Sequence, residues 1–206
     1  MTSTTTSPST STAGRLRWRV VDIVVAAVVA VACGVLFFGW NIASDWVTDP
    51  LGALLPGLQG LGGGVWLVGG TITALIVRKP GAALFGEVVA ASVSALLGAQ
   101  WGLLTLESGL VQGLAAELVF ALFLYRVWSW PVAVLAGAAA GLAMAINDLI
   151  LWYAGADTPF AVIYTISGVL GGAVIAGFLA WLLVRGIART GALARFAAGR
   201  ELAERV

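Results

Sequence analysis

Long apolar runs leave this chain few places to put a charge, and that spacing constrains its fold more than any motif does. Cutting the sequence wherever charges or Pro/Gly clusters interrupt the runs yields six segments: residues 20–40, 58–77, 80–98, 106–125, 131–153 and 160–184. Each is close to the roughly 17 to 25 residues that a helix needs to cross a bilayer. Composition agrees, since 60% of the residues are hydrophobic, 10% are charged and the mean hydropathy is +1.00. Soluble domains carry roughly a quarter charged residues. The expected fold is an all-α integral membrane protein, a bundle of six transmembrane helices within residues 15–185. Residues 1–14, almost all Ser, Thr, Pro, Ala and Gly, predict a disordered tail. The glycines crowded into residues 57–70 predict an irregular start to the second segment, tolerable at depth only under a protein or cavity cover. The run Ala30-Val31-Ala32-Cys33 looks faintly like a lipoprotein cleavage site, but the apolar stretch continues through Phe38, unlike a short signal core.

The charges then orient the bundle. With the N-terminus inside, six crossings put Arg15, Arg17, Arg19, Arg78, Lys79, Arg126, Arg185, Arg189, Arg195, Arg200 and Arg205 on the cytoplasmic side. The opposite loops hold Asp45, Asp49, Glu107 and Asp157 and no basic residue. The positive-inside rule therefore predicts cytoplasmic termini. Trp18, Trp128 and Trp130 are expected as anchors at the inner interface, with Trp40, Trp46, Trp101, Trp152 and Tyr153 at the outer one. Asp22 beside Arg19 reads as an interfacial charge, and Cys33 as a packing residue. Residues 186–206 form a basic cytoplasmic segment. It could lie on the leaflet with Leu193, Phe196 and Ala197 toward lipid, hang as a solvated tail, or dock.

The chain has no His and one Cys, which removes His-based metal sites, His-dependent catalytic pairs and an intrachain disulfide. Without a basic stripe, nucleic-acid binding has no footing. What remains is a pair of acids inside predicted helices. Glu87 lies eight residues past Lys79 and Glu117 nine before Arg126, roughly 12 to 14 Å above the basic anchors at 1.5 Å per residue. An unpaired carboxylate there costs several kcal/mol, so each must be protonated, hydrogen-bonded between helices, or neutralised by a cation from outside the chain. Ser94 shares the helical face of Glu87, and Gln112 and Trp66 fall between midplane and outer surface. Asp148 and Asn147 lie near the outer end of the fifth segment. These groups favour an outward-opening cavity in which a Trp face and carboxylates attract an organic cation. On the first segment Ala26, Ala30 and Gly34 recur every four residues, a spacing that suits close helix contact within or between molecules.

Two stretches carry a family resemblance. Arg78-Lys79-Pro80-Gly81-Ala82-Ala83-Leu84 followed by Glu87, and Val111-Gln112-Gly113-Leu114-Ala115-Ala116-Glu117, resemble the motifs of the YkoE-like family over about residues 18–200. That family comprises substrate-binding S-components of energy-coupling factor (ECF) vitamin importers, associated with thiamine and its hydroxymethylpyrimidine precursor. The resemblance implies a non-enzymatic capture subunit in the bacterial plasma membrane, with a six-helix S-component fold and an outward vitamin site. No cofactor is expected. The implied partners are a transmembrane coupling (T) protein and two cytoplasmic ATPases, with Ala26, Ala30 and Gly34 as the coupling-protein contact and residues 41–57 as a lid. Glu87, Glu117, Trp66, Gln112, Ser94, Asp148 and Asn147 are the expected substrate-binding residues. Two rival readings stand beside it: a stand-alone proton-coupled transporter or channel using the Glu pair, and a scaffold without a small ligand.

Overall fold

The computed structural model describes residues 16–194 and 196–199, and among them every regular element is helical. In chain order these are α1 (Val20–Leu54), a 3-10 segment (Leu58–Leu67) running into α2 (Val68–Val77), α3 (Ala82–Leu96), α4 (Leu104–Leu122) and α5 (Trp130–Leu151). They are followed by α6 (Thr158–Gly171), a π-helical stretch (Gly172–Leu179) and α7 (Ala180–Arg189). Among the described residues, five helical runs are long and apolar enough to cross a membrane: Val20–Leu54, Leu58–Val77, Leu104–Leu122, Trp130–Leu151 and Thr158–Arg189. The expected third crossing corresponds to α3, which has 15 residues. At about 22 Å it falls short of a hydrocarbon core of about 30 Å, so its flanking turns must supply the rest of any crossing. The tail at residues 1–14 lies outside the described residues.

The largest departure from expectation is α1. Residues 41–54 are not a loop or lid, because the helix runs unbroken through 35 residues to Leu54. The reason is a continuing two-sided pattern: Asn41 and Ser44 are buried against the bundle while Ile42, Trp46 and Val47 face outward. At about 52 Å, α1 outreaches the hydrocarbon core, and its last turns stand as a wall beyond the membrane centre. Pro50 sits within those turns and costs one backbone hydrogen bond, not the helix.

Small residues set the packing. Ala26 and Ala30 are fully buried, and a Cβ at Gly34 would stand 2.6 Å from Val93 Cβ and 2.7 Å from the Ala90 carbonyl oxygen. The stripe assigned to the coupling protein is thus covered by α3 of the same chain, where small side chains let two backbones close up. Across α3, a Cβ at Gly113 of α4 would come within 2.8 Å of Glu87 Cβ. Outward-facing Val28, Val35, Leu114, Leu118, Ile146 and Ile166 form an apolar belt, the surface a bilayer requires. Asp22 is buried and paired with Arg19 at 2.8 Å. After α7 the chain turns at Gly191, and Leu193 and Phe196 are buried in the core. These two therefore dock on the bundle and do not face lipid.

Candidate binding site

A cavity of about 310 Å³ opens between α1, the 3-10 segment, α3, α4, α5 and α6. It lies toward the α3 C-terminus, at the opposite end of the bundle from Arg78, Arg126 and Arg185, which line a separate cleft. Glu87 forms its floor, 2% exposed. Glu87 Oε2 accepts a 2.6 Å hydrogen bond from the Gly70 N–H, and Oε1 has no partner among the described residues. The close approach suits a glycine at position 70, since a Cβ there would stand 2.9 Å from the Ala83 carbonyl oxygen and 3.1 Å from Oε2. One carboxylate oxygen is therefore anchored and the other is left for a donor that the described residues do not supply.

Above the floor, a polar chain holds an aromatic wall. Trp66 Nε1 donates to Asn41 Oδ1 at 2.7 Å, and Asn41 Nδ2 donates to Ser94 Oγ at 3.0 Å. With its N–H satisfied, the Trp66 ring is fixed against rotation. Trp101 meets it edge-on at 5.5 Å between centroids, and Trp40 packs on it at 6.2 Å while donating to the Gly62 carbonyl at 3.2 Å. On the far side Tyr164 OH donates to Asp148 Oδ2 at 2.7 Å. Gln112 completes the wall from α4. The cavity thus combines flat rings, acceptors and one orphaned carboxylate oxygen. Such a set can stack a planar heterocycle and accept from its N–H groups.

Two expected site residues lie elsewhere. Glu117 does not line the cavity; its Oε1 accepts from the Gly81 N–H at 2.6 Å, and its Oε2 from Ala83 N–H at 2.8 Å and Leu84 N–H at 3.3 Å. It caps the start of α3, where orphaned amides and the helix dipole favour a carboxylate. Glu117 and Glu87 also differ in depth. Helix α4 ends at Leu122, and Leu124 and Tyr125 turn back in left-handed conformation, so counting straight helix to Arg126 overstates the depth of Glu117. Asn147 points away too, donating to Glu107 Oε2 at 3.0 Å and Ser108 Oγ at 3.4 Å, and so ties α5 to α4.

The comparisons with known proteins bear on this geometry. Residues 21–143 match the family model described as the permease component of an ABC-type cobalt transport system. A Bacillus subtilis (strain 168) relative named YkoE, an HMP/thiamine permease protein, is 34% identical over 191 residues, 90% of this chain and 92% of its own. A crystal structure of an S-component of an ECF transporter superposes with a TM-score of 0.84 at 32% identity, covering 92% of this chain and 95% of that one. This chain belongs to the YkoE-like family of S-components. It is a multi-pass protein of the bacterial plasma membrane and a transport subunit, not an enzyme.

The S-component's cavity also recruits residues not predicted from sequence. Asn41, Ser44, Asp45 and Thr48 of α1 line it; their i, i+3, i+4, i+7 spacing is one face of a helix and was available as a signal. Trp101, Trp152 and Tyr153, expected as interfacial anchors, line it as well, whereas Trp46 at 86% exposed has the exposure of an anchor. At the mouth, Asp45 and Asp49 border a vestibule of about 380 Å³ that shares Thr48, Gln59 and Tyr153 with the α1 wall and its surroundings.

Proposed function

We propose that this S-component captures thiamine, or its hydroxymethylpyrimidine precursor, in the Glu87 cavity, and that the cavity opens to the cell exterior. The observation that carries the reading is the buried Glu87 oxygen, without a donor among the described residues, beneath a ring wall fixed by Asn41. Both ligands contain an aminopyrimidine, a planar ring whose exocyclic amine supplies such a donor. Thiamine adds a permanent thiazolium charge, which suits the Trp faces and the acidic residues Asp45, Asp49 and Asp148 nearer the mouth. The naming of the Bacillus relative supports the same substrate class. Outward opening is supported by the charge pattern, since the cavity lies at the end away from Arg78, Arg126 and Arg185. A divalent cation is less suited. The chain has no His, and among the described residues no three of Cys, Asp and Glu converge as ligands.

In this reading uptake needs a T protein and two ATPases, which supply the driving force. The proton-relay alternative requires Glu87 and Glu117 to act together. Glu117 is instead occupied by three backbone amides outside the cavity, so that pair is not assembled. The test is equilibrium binding of thiamine and hydroxymethylpyrimidine to purified protein, with mass spectrometry of any molecule that co-purifies. Binding of neither ligand, with a different molecule recovered from the cavity, would overturn the assignment.

A further inference from the structure

A second cleft, of about 400 Å³, lies at the opposite end of the bundle and takes no part in the proposed vitamin binding. Arg78, Arg126 and Arg185 line it together with Trp128, Trp130 and Trp181. Two of the guanidiniums are pre-positioned on rings: Arg78 lies over Trp128 at 5.9 Å and Arg185 over Trp181 at 5.1 Å. Arg78 is further held by an Nε donation to the Leu75 carbonyl at 3.2 Å. For Arg185, stacking engages the face of the guanidinium, and its edge can make in-plane hydrogen bonds, the geometry that matches phosphate oxygens.

The surroundings bear on which phosphate group such a cleft suits. The cleft opens where α2, α5 and α7 begin or end, and its wall continues onto apolar surface. Trp130 is 52% exposed and meets Phe178 edge-on, and Leu182, about one helical turn past Phe178, is exposed as well. A soluble anion has no use for such a strip, whereas the acyl chains of a lipid do. We infer that this cleft binds the phosphate of an anionic phospholipid in the leaflet on the arginine side, with the lipid's chains lying along Trp130, Phe178 and Leu182. Basic pockets at helix ends are a recurrent solution for anionic headgroups.

The test uses full-length protein, delipidated in neutral detergent, with phosphatidylglycerol, phosphatidylcholine or inorganic phosphate added. Native mass spectrometry and thermal unfolding are the readouts. Phosphatidylglycerol should be retained and should raise the unfolding temperature, while phosphatidylcholine and inorganic phosphate leave it unchanged. The double variant Arg126→Gln/Arg185→Gln should weaken phosphatidylglycerol retention about tenfold or more and leave binding at the Glu87 cavity as in the parent. That second readout separates a lost lipid site from a misfolded protein. Equal retention of both lipids, or retention unaffected by the double variant, overturns the inference. A response to inorganic phosphate alone overturns the lipid assignment in favour of a free phosphate group.

Discussion

At the scale of single residues, two glutamates that look equivalent in the sequence do different work. Glu87 keeps one oxygen on Gly70 and one free in the cavity, so Glu87→Gln should preserve the fold and change recognition. The amide can still accept from Gly70, but it can present an N–H where the ligand needs an acceptor. Affinity for thiamine is expected to fall about 10- to 100-fold, the cost of losing a charged hydrogen bond and leaving a donor unpaired. Titration calorimetry measures it, and parent-like affinity would remove Glu87 from the site. Glu117→Ala should do the reverse. Removing an acceptor from three backbone amides is expected to destabilise the protein by about 1 to 3 kcal/mol, while the folded fraction binds ligand as the parent does. Thermal unfolding beside binding separates these outcomes.

At the scale of elements, α1 and α3 carry the arrangement. The upper half of α1 supplies Asn41, which links Trp66 to Ser94. Asn41→Leu has similar volume but leaves both the Trp66 N–H and the Ser94 hydroxyl without this partner, so ligand affinity should fall about tenfold. Parent-like affinity in a fluorescence-quenching titration would show that Trp66 needs no such fixing. The lower half of α1 packs Ala30 and Gly34 into the bundle. A coupling-protein surface would tolerate Ala30→Trp for binding and lose only uptake. The buried position instead predicts that Ala30→Trp lowers the unfolding temperature and impairs ligand binding together, through overpacking.

At the scale of the whole molecule, the bundle is a binding vessel with differently charged ends. Ligand at a hundredfold excess over its Kd should stabilise the purified protein by about 2.7 kcal/mol through mass action, measurable as a rise in unfolding temperature. A scaffold without a small ligand predicts no such rise. Proteoliposomes of this protein alone should bind the vitamin without accumulating it under a proton gradient. Accumulation there would revive the stand-alone transporter.

Much of this was legible in the sequence because membrane insertion is a one-dimensional problem. Apolar run lengths and the placement of eleven Lys and Arg residues follow from local solvation, which each segment feels separately. The fold class, the family motifs and five of the seven expected cavity residues could be read that way: Glu87, Trp66, Gln112, Ser94 and Asp148 do line one cavity. Depth along a helix, however, does not specify direction or helix end. Whether a buried carboxylate faces a cavity or a neighbouring helix start depends on where α3 begins and α4 stops. A small-residue stripe likewise cannot state which backbone will fill it. The sequence by itself determined that two acids set within apolar helices must each find a partner. Only tertiary packing decided that backbone amides would satisfy Glu117 and that one oxygen of Glu87 would be left waiting.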